Sequence, residues 1–239
     1  MHDERLDGRL PEQIRPLTFQ RHWLPAVAGS VLVKSGNTHV LCTAVIEDGV
    51  PKFLQQSGEG WLTAEYSMLP AATGARRQRE RTRVDGRSTE IQRLIGRCLR
   101  AVVDRRALKH KTIWVDCDVL AADGGTRTAS INGAYVAVHD ALTELKERGD
   151  LRKWPLRDSV QAISVGLVEG KVLADLSYYE DSSADVDMNV VMTGSGKLIE
   201  VNGGAEQGTF EIGQRHELLK LAQGACRDVG AAQKSALGT

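Results

Sequence analysis

The sequence has no apolar run near the roughly 18 to 20 residues that a membrane-spanning helix requires. Residues 1–5 are mostly charged, so an apolar secretory signal is also lacking. These absences predict a protein of the cytoplasm that has no membrane partner. With 239 residues, of which 41% are hydrophobic and 26% charged, the composition is typical of a globular protein. We expect one domain over residues 1–239.

Cysteine is sparse, and its spacing excludes the usual cysteine chemistry. The four cysteines form no Cys-x-x-Cys pair, which argues against both a zinc site and a disulfide framework. No histidine is placed near a serine or cysteine in a way that suggests a nucleophilic triad. We expect the cysteines to be small, buried, free residues: Cys42, Cys98, Cys117 and Cys226.

The glycine-rich segment of residues 123–130 lacks both common nucleotide-binding signatures. It has neither the Gly-Lys-Ser/Thr of a Walker loop nor the Gly-x-Gly-x-x-Gly spacing of a dinucleotide site. It does lie between a predicted strand, residues 112–120, and a predicted amphipathic helix, residues 130–145. A free phosphate or a phosphodiester therefore fits the segment better than a nucleotide cofactor.

The residues of this segment are suited to an oxyanion. Gly124 and Gly125 let backbone amides crowd together, and the helix start adds free N–H groups and the positive end of a dipole. Arg127 supplies a planar cationic fork, and Thr126 adds a hydroxyl donor. Phosphate is the expected occupant. The competing interpretation is a tight turn whose arginine is simply solvated.

Positive charge is concentrated in one stretch, although the whole chain has a net charge of zero. Residues 76–106 hold eleven arginines, no lysine and four acids, which leaves +7 there and −7 in the rest of the chain. Such segregation predicts a surface for a polyanion. A solvated basic helix face is the alternative.

Hydrophobic periodicity predicts an α+β fold, a mixed β-sheet packed by helices. Two hairpin patterns, one around Gly36 and one around Gly170, suggest two similar β-rich halves. Three amphipathic helices are expected, and Thr89 with Gln92 predicts a capping box at the start of the first. Arg93 falls on the polar face of that helix.

Two acids and one further arginine complete the candidate site. Arg87 is predicted to lie immediately before a helix start, where it can join an anion site. Asp181 and Asp187 are expected to meet across a turn, with Asn189 on the same strand face as Asp187. Paired carboxylates can hold Mg²⁺, or one can keep its proton and act as a general acid. An acidic surface turn is the alternative.

A phosphate site, an arginine-rich surface and two acids together suggest chemistry on nucleic acid. If the glycine loop binds free phosphate, phosphate itself can be the nucleophile, and the reaction is phosphorolysis of a terminal phosphodiester. A hydrolytic nuclease with two metal ions is a further class to consider. It requires more clustered carboxylates than residues 180–189 offer.

Five collinear segments resemble the bacterial ribonuclease PH family. They are GWLTAEYSMLP (60–70), GRSTEIQRLIGR (86–97), DCDVLAADGGTRTASI (116–131), DMNVVM (187–192) and VNGGAE (201–206). The resemblance extends from about residue 14 to residue 236. It implies a ribonuclease PH-like α+β domain that assembles as a homohexamer, a trimer of dimers.

The resemblance also implies an activity and a set of roles. The activity is phosphate-dependent 3′→5′ trimming of tRNA precursors, with a reverse nucleotide-adding reaction, inorganic phosphate as co-substrate and Mg²⁺ as the expected metal. The attacking phosphate is expected on Arg87, Gly125, Thr126 and Arg127, catalysis and metal binding on Asp181 and Asp187, and RNA binding on Arg76, Arg77, Arg79 and Arg93.

One departure from the family affects the RNA-binding assignment. The family usually has an arginine after Met-Leu-Pro, where this chain has Ala71. The arginines that follow it are then expected to supply the contact. The main alternative is a catalytically silent ring subunit. Such a subunit is expected to lack one of the site's arginines or aspartates, and all of them are present here.

Overall fold

A computed structural model describes residues 5–78, 85–206 and 208–239 of the protein. In chain order, its elements are β1 (Leu17–Arg21), β2 (Gly29–Ser35), β3 (Thr38–Asp48), a short 3₁₀ helix (Lys52–Leu54), β4 (Trp61–Met68), α1 (Gly86–Val102), α2 (Arg105–Leu108), β5 (Lys111–Ala121), α3 (Thr126–Glu147), β6 (Val160–Val168), β7 (Lys171–Ala174), α4 (Tyr178–Ser183), β8 (Val186–Thr193), β9 (Leu198–Ala205) and α5 (Ile212–Leu237). None of the described helices is both long and apolar enough to span a membrane.

The strands form two sheets. The first has the order β1-β2-β3-β5-β4, in which β4 runs parallel to β5 and the other pairs are antiparallel. The second has the order β7-β6-β8-β9 and is antiparallel throughout. Because the connection from β4 to the parallel β5 passes through α1, it is a crossover of the βαβ kind.

Helix α3 joins the two sheets. It contacts β2, β3 and β5 of the first sheet and β6 of the second, and sixteen of its 22 residues are buried. A helix that is buried on nearly all sides lacks the polar face of a surface helix, which explains the uncharged and mostly apolar run at 134–138. The first core cluster includes both α1 and α3, and a second cluster lies between α5 and the second sheet.

The predicted α+β class with two β-rich halves is confirmed, whereas the prediction of a single domain is not tested by the fold. Strands β1 and β4 were not predicted. The predicted capping box at Thr89 is wrong, because α1 begins three residues earlier, at Gly86. The N-cap is Asp85, whose carboxylate accepts a hydrogen bond of 2.6 Å from the Ser88 amide. The four cysteines are free and buried, as expected.

Candidate active site

One cleft of about 930 Å³ collects the predicted catalytic and phosphate-binding residues. It lies where the first turns of α1 and α3 face α4 and the beginning of β8. Four separate chain segments contribute the residues predicted from the sequence, which are Arg87, Gly125, Thr126, Arg127, Asp181 and Asp187. The prediction that these side chains converge is therefore consistent with the fold.

The glycine loop enters the cleft through two left-handed residues. Gly124 has φ +75° and Gly125, the N-cap of α3, has φ +65°. Both values disfavour a residue with a side chain. Because Gly125 has no side chain to cap the helix, the first amides of α3 are left to bind an outside acceptor, and the helix dipole favours an anion there.

Thr126 is held in place by a residue that the sequence did not single out. The buried Tyr66 hydroxyl on β4 donates a 3.0 Å hydrogen bond to Thr126 Oγ1. The Thr126 hydroxyl hydrogen can therefore point elsewhere, toward an anion in the cleft. Burial raises the pKa of Tyr66, although its bond to Thr126 and the charges of Arg87 and Arg127 oppose the rise. Tyr66 thus stays protonated and remains the donor.

Arg87 and Arg127 supply the positive charge of the cleft. Arg87 lies in the first turn of α1 rather than before it, because α1 starts at Gly86, and its side chain is exposed. Arg127 is the second residue of α3 and is half-buried. Neither guanidinium forms an ion pair within residues 5–78, 85–206 and 208–239. Both are therefore available to an anionic ligand.

Asp181 and Asp187 face the same cleft from different elements. Asp181 belongs to α4 and Asp187 to β8, so the short helix takes the place of the turn that the sequence suggested. Burial raises the pKa of Asp181, and the negative charge of Asp187 raises it further, while Arg127 and Arg87 lower it. Asn189, also on the cleft wall, lies on the same face of β8 as Asp187, as predicted.

Glu180 and Asp181 are adjacent in sequence but have different tasks. Glu180 is 7% exposed and forms a two-bond ion pair with Arg5, with both N···O distances 2.6 Å. Burial alone raises the pKa of the Glu180 carboxyl, but the hydrogen bonds from Arg5 and Ser177 hold it below its usual value. This pair fastens α4 to the N-terminal segment and leaves Asp181 on the cleft side.

A second buried ion pair supports the loop before α4. Arg15 binds Asp175 through Nε at 3.0 Å and Nη2 at 2.7 Å, and the Asp175 backbone adopts φ +52°. The Arg15 guanidinium also donates to the Asp123 carbonyl, next to the glycine loop. Arg15 therefore ties the two walls of the cleft together. The sequence offered no signal for these pairs, because their partners are at least 160 residues apart.

The predicted RNA-binding arginines are distributed unevenly. Arg77 is exposed on the cleft wall, Arg76 is exposed beside it, and Arg79 lies outside the described residues. Arg93 is exposed on α1 but does not belong to the described lining of the cleft. Of the three members of this group that the structure describes, Arg77 alone lines the candidate site.

Two other arginines of α1 have partners within the protein. Arg97 forms a two-bond pair with Glu200 at 2.9 and 2.8 Å. Arg100 donates to the Leu62 carbonyl at 2.9 Å and lies over the Trp61 ring. The charge of Arg97 is therefore neutralised by an acid of the second sheet, and the Arg100 side chain is held against β4.

The residues present fit Mg²⁺ only as an ion shared with a substrate. Among the described residues, no group of three or more His, Cys, Asp or Glu side chains could hold a metal ion. Asp181 and Asp187 offer two carboxylates in one cleft. Magnesium sites of that kind use one or two carboxylates, several waters and the substrate's phosphate oxygens.

Replacing Gly124 by alanine is expected to destabilise the protein by a few kcal/mol and to distort the cleft. A Cβ at this position would lie 2.6 Å from the Leu176 carbonyl oxygen and 2.8 Å from the Tyr178 amide nitrogen, both backbone atoms. Thermal unfolding measures the loss. Gly170→Ala is the matched control, because Gly170 has φ +76° but open space around it. Equal losses in the two variants would contradict the proposed close contact.

Two consecutive family models match the chain. The 3′ exoribonuclease family, domain 1, matches residues 13–144, and domain 2 of the same family matches residues 158–225. Among solved structures, rice Rrp46 has a TM-score of 0.80 at 19% identity, with 98% of this chain and 100% of that chain covered. An Archaeoglobus fulgidus exosome with RNA bound to the active site also has a TM-score of 0.80, at 23% identity, with coverage of 96% and 92%. These structures establish the fold.

The two sheets and the cleft between their helices are those of an exoribonuclease-type fold, and the chain belongs to the 3′ exoribonuclease family. It is 56% identical over 236 residues to "Ribonuclease PH" of Corynebacterium glutamicum (strain R), covering 98% of this chain and 96% of the relative. It is 54% identical over 237 residues to "Ribonuclease PH" of Synechococcus sp. (strain JA-3-3Ab), covering 98% of each.

Proposed function

We propose that this cleft catalyses the phosphorolysis of RNA 3′ ends. The chain is a phosphate-dependent 3′→5′ exoribonuclease that trims tRNA precursors, and the reverse reaction adds nucleotides from nucleoside diphosphates. The observation that carries the proposal is the cleft itself: a glycine loop at a helix N-terminus and two arginines that form no ion pair with any described residue face Asp181 and Asp187. No histidine or cysteine is among the described residues that line it.

The proposed reaction needs no nucleophilic side chain. An oxygen of inorganic phosphate attacks the phosphorus of the last phosphodiester and forms a new P–O bond. The bond from that phosphorus to the 3′ oxygen of the penultimate nucleotide breaks, and this oxygen takes up a proton. The terminal nucleotide leaves as a 5′-diphosphate, and the RNA is one nucleotide shorter with a free 3′ hydroxyl.

We assign the phosphate-binding role to Arg87, Gly125, Thr126 and Arg127. Two phosphate groups approach each other in this reaction, and their negative charges must be neutralised before a bond can form. The amides at the start of α3 and the Thr126 hydroxyl are fixed donors, and the two guanidinium groups supply charge. Such prearranged donors do not have to reorganise as the reaction proceeds.

We assign proton donation to Asp181, with Asp187 as its partner acid. The neighbouring carboxylate and the burial of Asp181 favour the protonated form of its side chain, which a general acid requires. Where Mg²⁺ binds, the Asp187 carboxylate would hold it together with phosphate oxygens, which leaves Asp181 free to keep its proton, and the ion would supply further neutralisation of charge.

We further propose that the protein works in the cytoplasm as a homohexamer built from three dimers. Four free, buried cysteines fit a reducing compartment. The homohexamer rests on family membership, and exposed apolar residues such as Trp114, Phe53 and Leu198 fit protein surfaces that are covered in an assembly.

The test of the activity is the identity of the released nucleotide. The purified protein is incubated with a tRNA carrying a short 3′ extension and Mg²⁺, with and without inorganic phosphate. Diphosphates that appear only with phosphate support phosphorolysis. Monophosphates released without phosphate would make the protein a hydrolase, and no release under either condition would favour a silent ring subunit.

Removing Arg76, Arg77 and Arg79 together is expected to weaken tRNA binding and to flatten its salt dependence. Each lost phosphate contact lowers the slope of log K against log salt by about 0.7 to 0.9. The slope is measured by titrating labelled tRNA at several salt concentrations. The control removes the same charge from Arg148, Arg152 and Lys153, beyond the far end of α3. An unchanged slope in the first variant would exclude these arginines from the RNA path.

A further inference from the structure

Tyr178 is a large aromatic residue exposed inside the candidate active site. It lines the cleft and is 66% exposed, although most tyrosine rings cover apolar surface when they can. Its backbone amide donates a hydrogen bond of 3.3 Å to Asp123 Oδ1. The mechanism proposed above gives this ring no task.

The position of Tyr178 places it between the phosphate site and the acid. It lies three residues before Asp181 on α4, and residues at that spacing are neighbours on a helix surface. Its amide nitrogen also borders Gly124, since a Cβ on that glycine would lie 2.8 Å away. A flat, exposed aromatic ring in the cleft that Gly124 and Asp181 also line is suited to a nucleobase.

The next residue has the same chemistry and exposure but a different location. Tyr179 is also 66% exposed, yet it lines a separate cavity with Asn37 and Glu180, behind the glycine loop. The pair therefore separates the effect of position from that of residue type. An effect that requires a ring inside the cleft should therefore be lost when Tyr178 is replaced and kept when Tyr179 is replaced.

We propose that the Tyr178 ring stacks on the base of the 3′-terminal nucleotide, and of the nucleoside diphosphate that this nucleotide becomes. The inference rests on the proposed phosphorolysis. In that reaction the attacking phosphate stays on the terminal nucleotide, so the diphosphate product occupies both the phosphate site and the space beside it. An exposed ring in the cleft that also contains Gly124 and Asp181 is therefore placed to meet the base of this nucleotide.

Stacking of this kind recognises a base without reading its identity. Every nucleobase has a π-face, whereas hydrogen bonds to base edges distinguish one base from another. An enzyme that removes nucleotides one at a time from extensions of different sequence needs stacking contacts, because these do not depend on which base is present. Tyr178 would thus strengthen binding of the terminal nucleotide for all four bases.

The experiment measures the KM for ADP and CDP in the reverse, nucleotide-adding reaction, for Tyr178→Ala, Tyr178→Phe and Tyr179→Ala. Tyr178→Ala is expected to raise both KM values about tenfold or more, since loss of one stacking partner has effects of this order. Tyr178→Phe keeps the ring and should resemble wild type, as should Tyr179→Ala. The KM for inorganic phosphate in the forward reaction should stay unchanged in all three variants.

A binding measurement decides the question independently of turnover. Calorimetric titration compares ADP with ribose 5-diphosphate, which lacks the base. Wild type is expected to bind ADP more tightly than ribose 5-diphosphate, by about the factor by which Tyr178→Ala raises the KM for ADP. The Tyr178→Ala variant should bind the two ligands equally well. Equal behaviour of Tyr178→Ala and Tyr179→Ala, or a loss in Tyr178→Phe as large as in Tyr178→Ala, would overturn the proposal. A wild-type enzyme that forms no diphosphates but shows this preference would overturn phosphorolysis instead.

Discussion

Replacing Arg127 by alanine is expected to lower kcat/KM for phosphate by about a hundredfold or more. Arg127 follows the first residue of α3, so its guanidinium and the free amides at the helix start act on the same anion. It is half-buried and forms no ion pair with any described residue. No internal carboxylate therefore has to be displaced when phosphate binds. Phosphorolysis rates over a range of phosphate concentrations measure the effect.

Further variants distinguish the loss of phosphate binding from the loss of one positive charge anywhere on the surface. Arg93→Ala removes an exposed arginine outside the cleft and should leave the phosphate kinetics near those of wild type. Arg127→Lys keeps the charge but loses the planar fork, so it should recover only part of the activity. Arg87→Ala is expected to resemble Arg127→Ala. A near-normal kcat/KM for phosphate in either alanine variant would show that phosphate is bound elsewhere.

The local part of the site was predictable because its signals are local. Glycines before an amphipathic helix indicate a helix start with free amides, and a strand pattern before them gives a strand–loop–helix unit. Gly124 and Gly125 have the left-handed backbone that such a turn requires. Arg127 follows on the first turn of the helix. These features depend on neighbours within a few residues, which a sequence displays directly.

The long-range part was not predictable from patterns in the residues. Glu180 and Asp181 look alike in the sequence, yet one pairs with a buried arginine 175 residues away and the other faces the cleft. Tyr66, which fixes the Thr126 hydroxyl, belongs to a strand that was not predicted. Which acid is structural and which is free depends on the packing of the N-terminal segment against α4. Only the folded chain contains that information.

The basic surface was predicted by charge counting, which could not separate free arginines from paired ones. Arg97 is paired with Glu200, and Arg100 is engaged with the backbone and ring of β4. Arg87 on the same helix is free of ion pairs within the described part of the chain. A count of eleven arginines thus exaggerates the charge that an RNA backbone meets.

Replacing Asp181 by asparagine is expected to reduce the rate of phosphorolysis by about a hundredfold or more, because loss of a general acid typically has an effect of this size. Asparagine has almost the same shape as aspartate but has no carboxyl proton to give to the departing 3′ oxygen. Asp181 is the better acid of the two because burial and the charge of Asp187 raise its pKa. Single-turnover rates with saturating phosphate measure the chemical step.

A substrate with sulfur in place of the departing 3′ oxygen tests the role directly. A thiolate is a good leaving group near neutral pH, since the pKa of a thiol is about 8.5, and it needs no proton from the enzyme. Asp181→Asn should therefore regain most of its lost rate on the sulfur substrate, relative to wild type on the same substrate.

Asp187→Asn should stay impaired on both substrates if that carboxylate helps to hold Mg²⁺ and to favour the protonated form of Asp181. Equal defects of Asp181→Asn on oxygen and sulfur substrates would remove Asp181 from proton transfer. A rescue confined to Asp187→Asn would reverse the two assignments, because it would show that Asp187 delivers the proton.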